Sequence, residues 1–168
     1  MRSTGNGIEI LNLVKQYRNH LIPINEEHFR QKPSHSDWSI SEIYHHIFDA
    51  SILSLKALEY LSEGIEEKGK ETWAAKIIFL LGRMPGKFKA PRVILNRVKS
   101  ISIAESNQLI DSFETKLTFT LKLVDLNSTG RVKHPRLGAL TTKQWLKFIE
   151  MHLKHHLMSS FVILICSV

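Results

Sequence analysis

Ser39-Ile40-Ser41-Glu42-Ile43-Tyr44-His45-His46-Ile47 decides how the rest of the chain is read. Ser39 and Glu42 stand three apart as a capping box, in which hydroxyl and carboxylate satisfy backbone donors that the first turn of a helix leaves unpaired. A helix therefore starts here. Ile40, Ile43, Tyr44, Ile47, Ser51, Leu55 and Leu58 recur at intervals of three and four, the period of one helical face, until Gly64 ends the pattern.

The same punctuation recurs on the C-terminal side. Ser102-Ile103-Ala104-Glu105 opens a helix towards Val124, with Leu109, Phe113, Leu117, Leu121 and Val124 as its apolar stripe. Thr141-Thr142-Lys143-Gln144 is the glutamine form of the box and opens a last helix with Trp145, Phe148, Ile149, His152 and His156 on one side. Ile8 to Asn19 supplies a helix before the first box. Pro23, Pro33, Pro85, Pro91 and Pro135 all fall between these segments, where a missing N–H does no harm. Strand signals are weak: Arg92-Val93-Ile94-Leu95 is at most a short extended piece, and no Asn-Gly or Asp-Gly hairpin turn occurs. The expected fold is all-α, a four-helix bundle with a long irregular connection between the second and third main helices. That connection is expected to carry a short helix near Thr72 to Leu81.

The 168 residues, 43% hydrophobic and 23% charged, fit one globular domain spanning 1–168 and exclude a disordered or disulfide-stapled chain. Cys166 is the only cysteine and Met1 to Gly5 carries no secretory signal, so a reducing, cytoplasmic setting is expected. Phe161 to Cys166 is the most apolar run, yet a spanning helix needs about 20 such residues. No membrane partner is expected, and the run is read as a helix end in the core or a subunit contact. Net charge is +7, and Lys76, Arg83, Lys87, Lys89, Arg92, Arg97 and Lys99 lie in a stretch from Glu71 to Glu105 with no carboxylate between those two. Such a stretch attracts anions, but aromatic interleaving is sparse and no nucleic-acid-binding motif is present, so nucleic acid is not expected as a partner.

Nine histidines remain to be explained, and five of them fall on the two helices opened by Ser39 and Thr141. His152 and His156, four apart, lie on one helical face and can turn towards a single ion. Zinc-like ions in catalytic sites take three protein ligands and leave a position open for water. A third ligand must then come from another helix, and His46 can face inward from the second. Spacing leaves competitors: His155 pairs with His152 at a separation of three, and His45 points about 100° around the helix from His46.

Trp38-Ser39-Ile40-Ser41-Glu42-Ile43-Tyr44-His45-His46, then Gly86-Lys87-Phe88-Lys89-Ala90-Pro91-Arg92, then His134-Pro135-Arg136-Leu137-Gly138 leading through Trp145 to His152 and His156, resembles the DinB-like superfamily. Its usual pattern is W-S-x-x-E-x-x-x-H on the second helix and H-x-x-x-H on the last. The match runs in order from Trp38 to Met158. The resemblance implies a four-helix bundle, usually homodimeric, holding a divalent nickel, zinc, iron or manganese ion on His46, His152 and His156. It further implies a metal-dependent enzyme of thiol S-transferase or hydrolase type, with a low-molecular-weight thiol as co-substrate or cofactor. Ser159 departs from the family, which commonly has Gln there.

Three neutral imidazoles add no negative charge, so an ion they hold keeps its Lewis acidity. A hydrolase also needs a general base, and Glu42, Asp49 and Glu150 are the carboxylates nearest in sequence. Glu42 is already explained as a cap. Asp49, three residues after His46, is either a hydrogen-bond partner of a ligand imidazole or a solvent-exposed carboxylate. Trp38 and Trp145, near helix starts, are read as packing anchors. Two alternatives stand beside the enzyme: a non-catalytic metal-binding bundle of stress-response type, and an anion- or nucleic-acid-binding module using the basic connection.

Overall fold

The computed structural model describes residues 5–34, 36, 38–84 and 96–166, with side chains to residue 163. Its helices are α1 (Gly5–Leu21), α2 (Glu26–Arg30), α3 (Ile40–Ser62), α4 (Trp73–Leu81), α5 (Ile103–Leu123) and α6 (Thr142–Cys166). α1, α3, α5 and α6 are the four long ones. α3 packs against both α5 and α6, and α1 closes the bundle against the same two. The expected all-α four-helix bundle is the fold observed.

All three capping boxes form. Ser39 Oγ accepts from the Glu42 N–H while a Glu42 carboxylate oxygen accepts from the Ser39 N–H at 2.7 Å. Ser102 and Glu105 repeat the arrangement at α5, and the Thr141 N–H donates to Gln144 Oε1 at 2.9 Å before α6. α3 ends where the sequence ends it, with Gly64 in the left-handed region at φ 75°. Every residue of the α3 stripe from Ile40 to Leu58 is buried. On α5 the buried line runs instead through Ser106, Ile110, Phe113, Leu117 and Thr120, and Leu109, Leu121 and Val124 sit at its margins. Serine and threonine on the buried line hid its position from a hydropathy reading.

The core is aromatic at its centre. Tyr17, Phe29, Tyr44, Phe48 and Phe113 are fully buried, and Tyr17 meets both Tyr44 and Phe48 edge to face. Two hydroxyls fix helix orientation there. Tyr17 donates to the Leu153 carbonyl of α6 at 2.8 Å, and Tyr44 donates to the Tyr17 carbonyl at 3.0 Å, so α1, α3 and α6 are tied at one level.

One expectation is corrected. A two-stranded antiparallel hairpin is present, β1 (Val132–His134) and β2 (Gly138–Leu140), with His134 opposite Gly138. Each strand is three residues long, too short to show alternation, and Pro135-Arg136-Leu137 replaces a two-residue glycine turn. His134 makes that turn itself: its Nδ1 accepts from the Arg136 and Leu137 N–H groups, each at 3.1 Å. Gly138, at φ 78°, passes so close to the preceding connection that a Cβ would lie 2.5 Å from the Lys70 carbonyl oxygen. The helix expected near Thr72 to Leu81 is α4, capped by Thr72. The Arg92–Leu95 piece lies outside the described residues. Among those described, no helix is long and apolar enough to cross a membrane.

Candidate metal centre

The Ser39 box sets the start of α3, and His46 follows two turns later, on the side that faces α6. The Thr141 box sets the start of α6, and Trp145 anchors its first turns by donating its indole N–H to the Val132 carbonyl at 3.3 Å. His152 and His156 then arrive opposite His46. The three rings form a near-regular triangle, with centroids 5.2 Å apart for His46–His152, 4.9 Å for His46–His156 and 4.8 Å for His152–His156. One ligand nitrogen from each lies within 4.8 Å of the other two.

An ion that holds nitrogens at about 2.0–2.1 Å spaces them roughly 3–3.4 Å apart. His152 Nε2 and His156 Nε2 are already 3.1 Å apart. Without an ion, that spacing is bridged by one ring's N–H donating to the other's lone pair. His46 offers the third nitrogen, within 4.8 Å of the other two.

Electrostatics suit the rings to the same task. Burial lowers the His46 pKa to about 4, against a partial opposing pull from the Asp49 carboxylate. Burial also pushes His152 and His156 down, reinforced by the facing imidazoles. All three rings are therefore neutral at pH 7, and each has one lone pair to offer. His46 is 7% exposed, and His156 is partly exposed at the edge of the cluster.

Aromatic rings wall the triangle. Trp38 lies 4.9 Å from His46 and, nearly parallel, 6.3 Å from His156. Phe148 stacks on His152 at 5.3 Å and 23°, and it also meets His134 at 4.5 Å and Trp145 at 5.9 Å. The hairpin thus braces a ligand ring through Phe148. Trp145 is the packing anchor expected of it; Trp38 is more than that. Trp38 directly precedes the N-cap, a place where an apolar side chain usually folds back on the first helical turn. Here it reaches one turn further, onto His46.

The competing histidines stand outside the triangle. His45 faces away, its Nδ1 buried without a partner among the described residues, and the His155 ring packs on the His156 ring at 5.0 Å. The carboxylates are engaged elsewhere. Glu42 is the cap of α3. Asp49 accepts two hydrogen bonds from the Arg97 guanidinium at 2.9 and 3.0 Å, and no hydrogen bond joins it to His46. Glu150 is buried, which raises its pKa, but contacts with Lys154 and Lys147 outweigh burial and hold it ionised, with Asn6 donating to it as well. The Gly86–Arg92 part of the DinB-like pattern lies outside the described residues.

Comparison with known proteins adds the fold and little chemistry. No family model matches the chain. It is 28% identical over 140 residues to the uncharacterized protein YuaE of Bacillus subtilis (strain 168), covering 83% of this chain and 85% of that protein. It is similar in structure to TT2238, whose crystal structure is described as a four-helix bundle protein, with a TM-score of 0.60 at 15% identity over 93% of this chain and 98% of that one.

Proposed function

We propose that this chain is a DinB-like metalloprotein that binds one divalent transition metal ion on His46, His152 and His156 and uses it in thiol-transfer chemistry. The observation that carries the reading is the convergence of three neutral imidazoles, one from α3 and two from α6, on one point. An all-nitrogen set of this kind suits zinc, nickel or iron, and also manganese at lower affinity. The bound ion would supply Lewis acidity to a water or thiol in its open position. The chain's own residues do the rest: Trp38 and Phe148 fix the planes of His46 and His152, and the hairpin holds Phe148 through His134.

Among the described residues, the carboxylates favour a thiol over a water nucleophile. Hydrolysis draws on a general base beside the nucleophile, and Glu42, Asp49 and Glu150 are each committed to another partner. A thiol coordinated to a divalent ion loses its proton without such a base. A homodimer and a cytoplasmic setting belong to the same reading; the exposed Met158, Phe161 and Val162 on the last turns of α6 suit a subunit contact.

Elemental analysis of untagged protein, purified without chelator and re-exposed to zinc, nickel, manganese or ferrous ion, tests the binding. One ion per chain is expected for the wild type, and a loss of at least tenfold in occupancy for His152→Ala. Equal metal content in the two proteins would discard the site. Turnover is then read on a panel of small thiols with alkylating acceptors and of simple esters. Metal binding with no turnover on either leaves the non-catalytic bundle as the function.

A further inference from the structure

α4 is apolar on both of its sides, and only one side is used by the bundle. Ala75 and Ile78 are buried and Phe79 is half-buried. Trp73, Ile77, Leu80 and Leu81 point the other way; Trp73 is 77% exposed and Leu80 86%. At separations of four, seven and eight residues these four side chains form one continuous stripe. Single exposed apolar residues are ordinary on a protein surface, whereas a contiguous stripe marks a contact.

Charge selects the partner. Lys76 is the only ionised residue in α4, is exposed, and flanks the stripe; Arg83 follows directly after the Gly82 cap and is exposed too. From residue 72 to residue 104 the sequence holds no carboxylate. Glu71, just before α4, is neutralised by Arg131 at 2.7 Å. An apolar stripe with a tryptophan at one end and cations on its margin is the pattern of a helix lying in the plane of a lipid surface, stems along the acyl boundary and ammonium or guanidinium groups among the phosphates. A second copy of this chain fits less well, because it would bring the same cations to the same margin.

We infer that the exposed face of α4 docks on anionic lipid bilayers, which makes the protein a peripheral membrane-surface binder although no helix among the described residues is long and apolar enough to span one. Co-sedimentation of the full-length chain with vesicles tests this, comparing pure phosphatidylcholine with vesicles containing phosphatidylglycerol. Binding about tenfold tighter to the anionic vesicles is expected, and most of the difference should vanish in 0.5 M salt. Trp73→Ser/Leu80→Ser should abolish binding to both vesicle types with an unchanged far-ultraviolet circular dichroism spectrum, since both side chains are mostly outside the fold. Lys76→Glu/Arg83→Glu should remove the preference for anionic lipid.

No co-sedimentation of the wild type, or undiminished binding by Trp73→Ser/Leu80→Ser, would overturn the inference. So would a lipid-free dimer that the apolar double variant dissociates, which would make the stripe an interface between copies. Salt-sensitive binding to duplex or single-stranded nucleic acid in place of vesicles would reassign the cations. None of these outcomes depends on the histidine triangle, because His152→Ala should bind vesicles as the wild type does.

Discussion

His46 is a buried imidazole of the triangle, and its position has a consequence for stability as well as for metal. Its pKa is about 4 in the native state against 6.5 for an unperturbed ring. Above pH 6.5 the native and unfolded chains both carry the neutral ring. Between 6.5 and 4 the unfolded chain binds a proton that the native state refuses, so acidification through that window favours unfolding. The His46 contribution is about 3 kcal/mol at most, at the foot of the window. His152 and His156 shift in the same direction and steepen the fall. Metal-stripped protein should therefore keep its Tm from pH 8 to about 6.5 and lose it progressively towards pH 4, as followed by differential scanning calorimetry. His46→Gln, which does not titrate, should flatten the curve. A wild-type Tm indifferent to pH across this range would mean that the rings are not desolvated together.

The helices that present these rings are positioned by their first turns, so cap and hairpin residues should act on the site from a distance. Ser39→Ala removes one acceptor of the α3 box and should cost about 1 kcal/mol, seen as a lower midpoint in urea with an unchanged slope. Gly138→Ala should cost more, on the order of 2 kcal/mol or above, because alanine is strained at φ 78° and its Cβ meets the Lys70 carbonyl. That variant should also weaken metal retention, since the hairpin steadies Phe148 through His134; a fully retained metal content would break this link. The boxes at Ser39, Ser102 and Thr141 were legible because capping is a contact between residues three apart. The hairpin was not, because its turn is built by the His134 ring and its register is set by the Lys70–Thr72 strand of connection far away in sequence. Trp38 was legible as an anchor but not as a wall of the site, since its reach to His46 depends on a rotamer that spacing does not specify.

At the scale of the molecule, α3 and α6 meet along one side of the bundle and the triangle lies across their seam. Which of His45, His46, His152, His155 and His156 share that seam is a matter of helix rotation, and rotation is fixed by contacts distant in sequence, such as the Tyr17 hydroxyl on the Leu153 carbonyl. Spacing alone therefore left the choice open, and the DinB-like pattern supplied the set that the geometry brings together. An ion bound there bridges two helices whose rings separate on unfolding, so it binds the native state far better than the unfolded one. At free metal about a thousandfold above Kd the linkage is worth about 4 kcal/mol. For a chain of this length that corresponds to a rise in Tm on the order of 10 °C. His46→Ala and His152→Ala should each abolish the rise although they sit on different helices, and His45→Ala, outside the triangle, should preserve it. If removing His46 left the metal-induced shift intact while removing His152 did not, the ion would be held by α6 alone and the two helices would not be clamped.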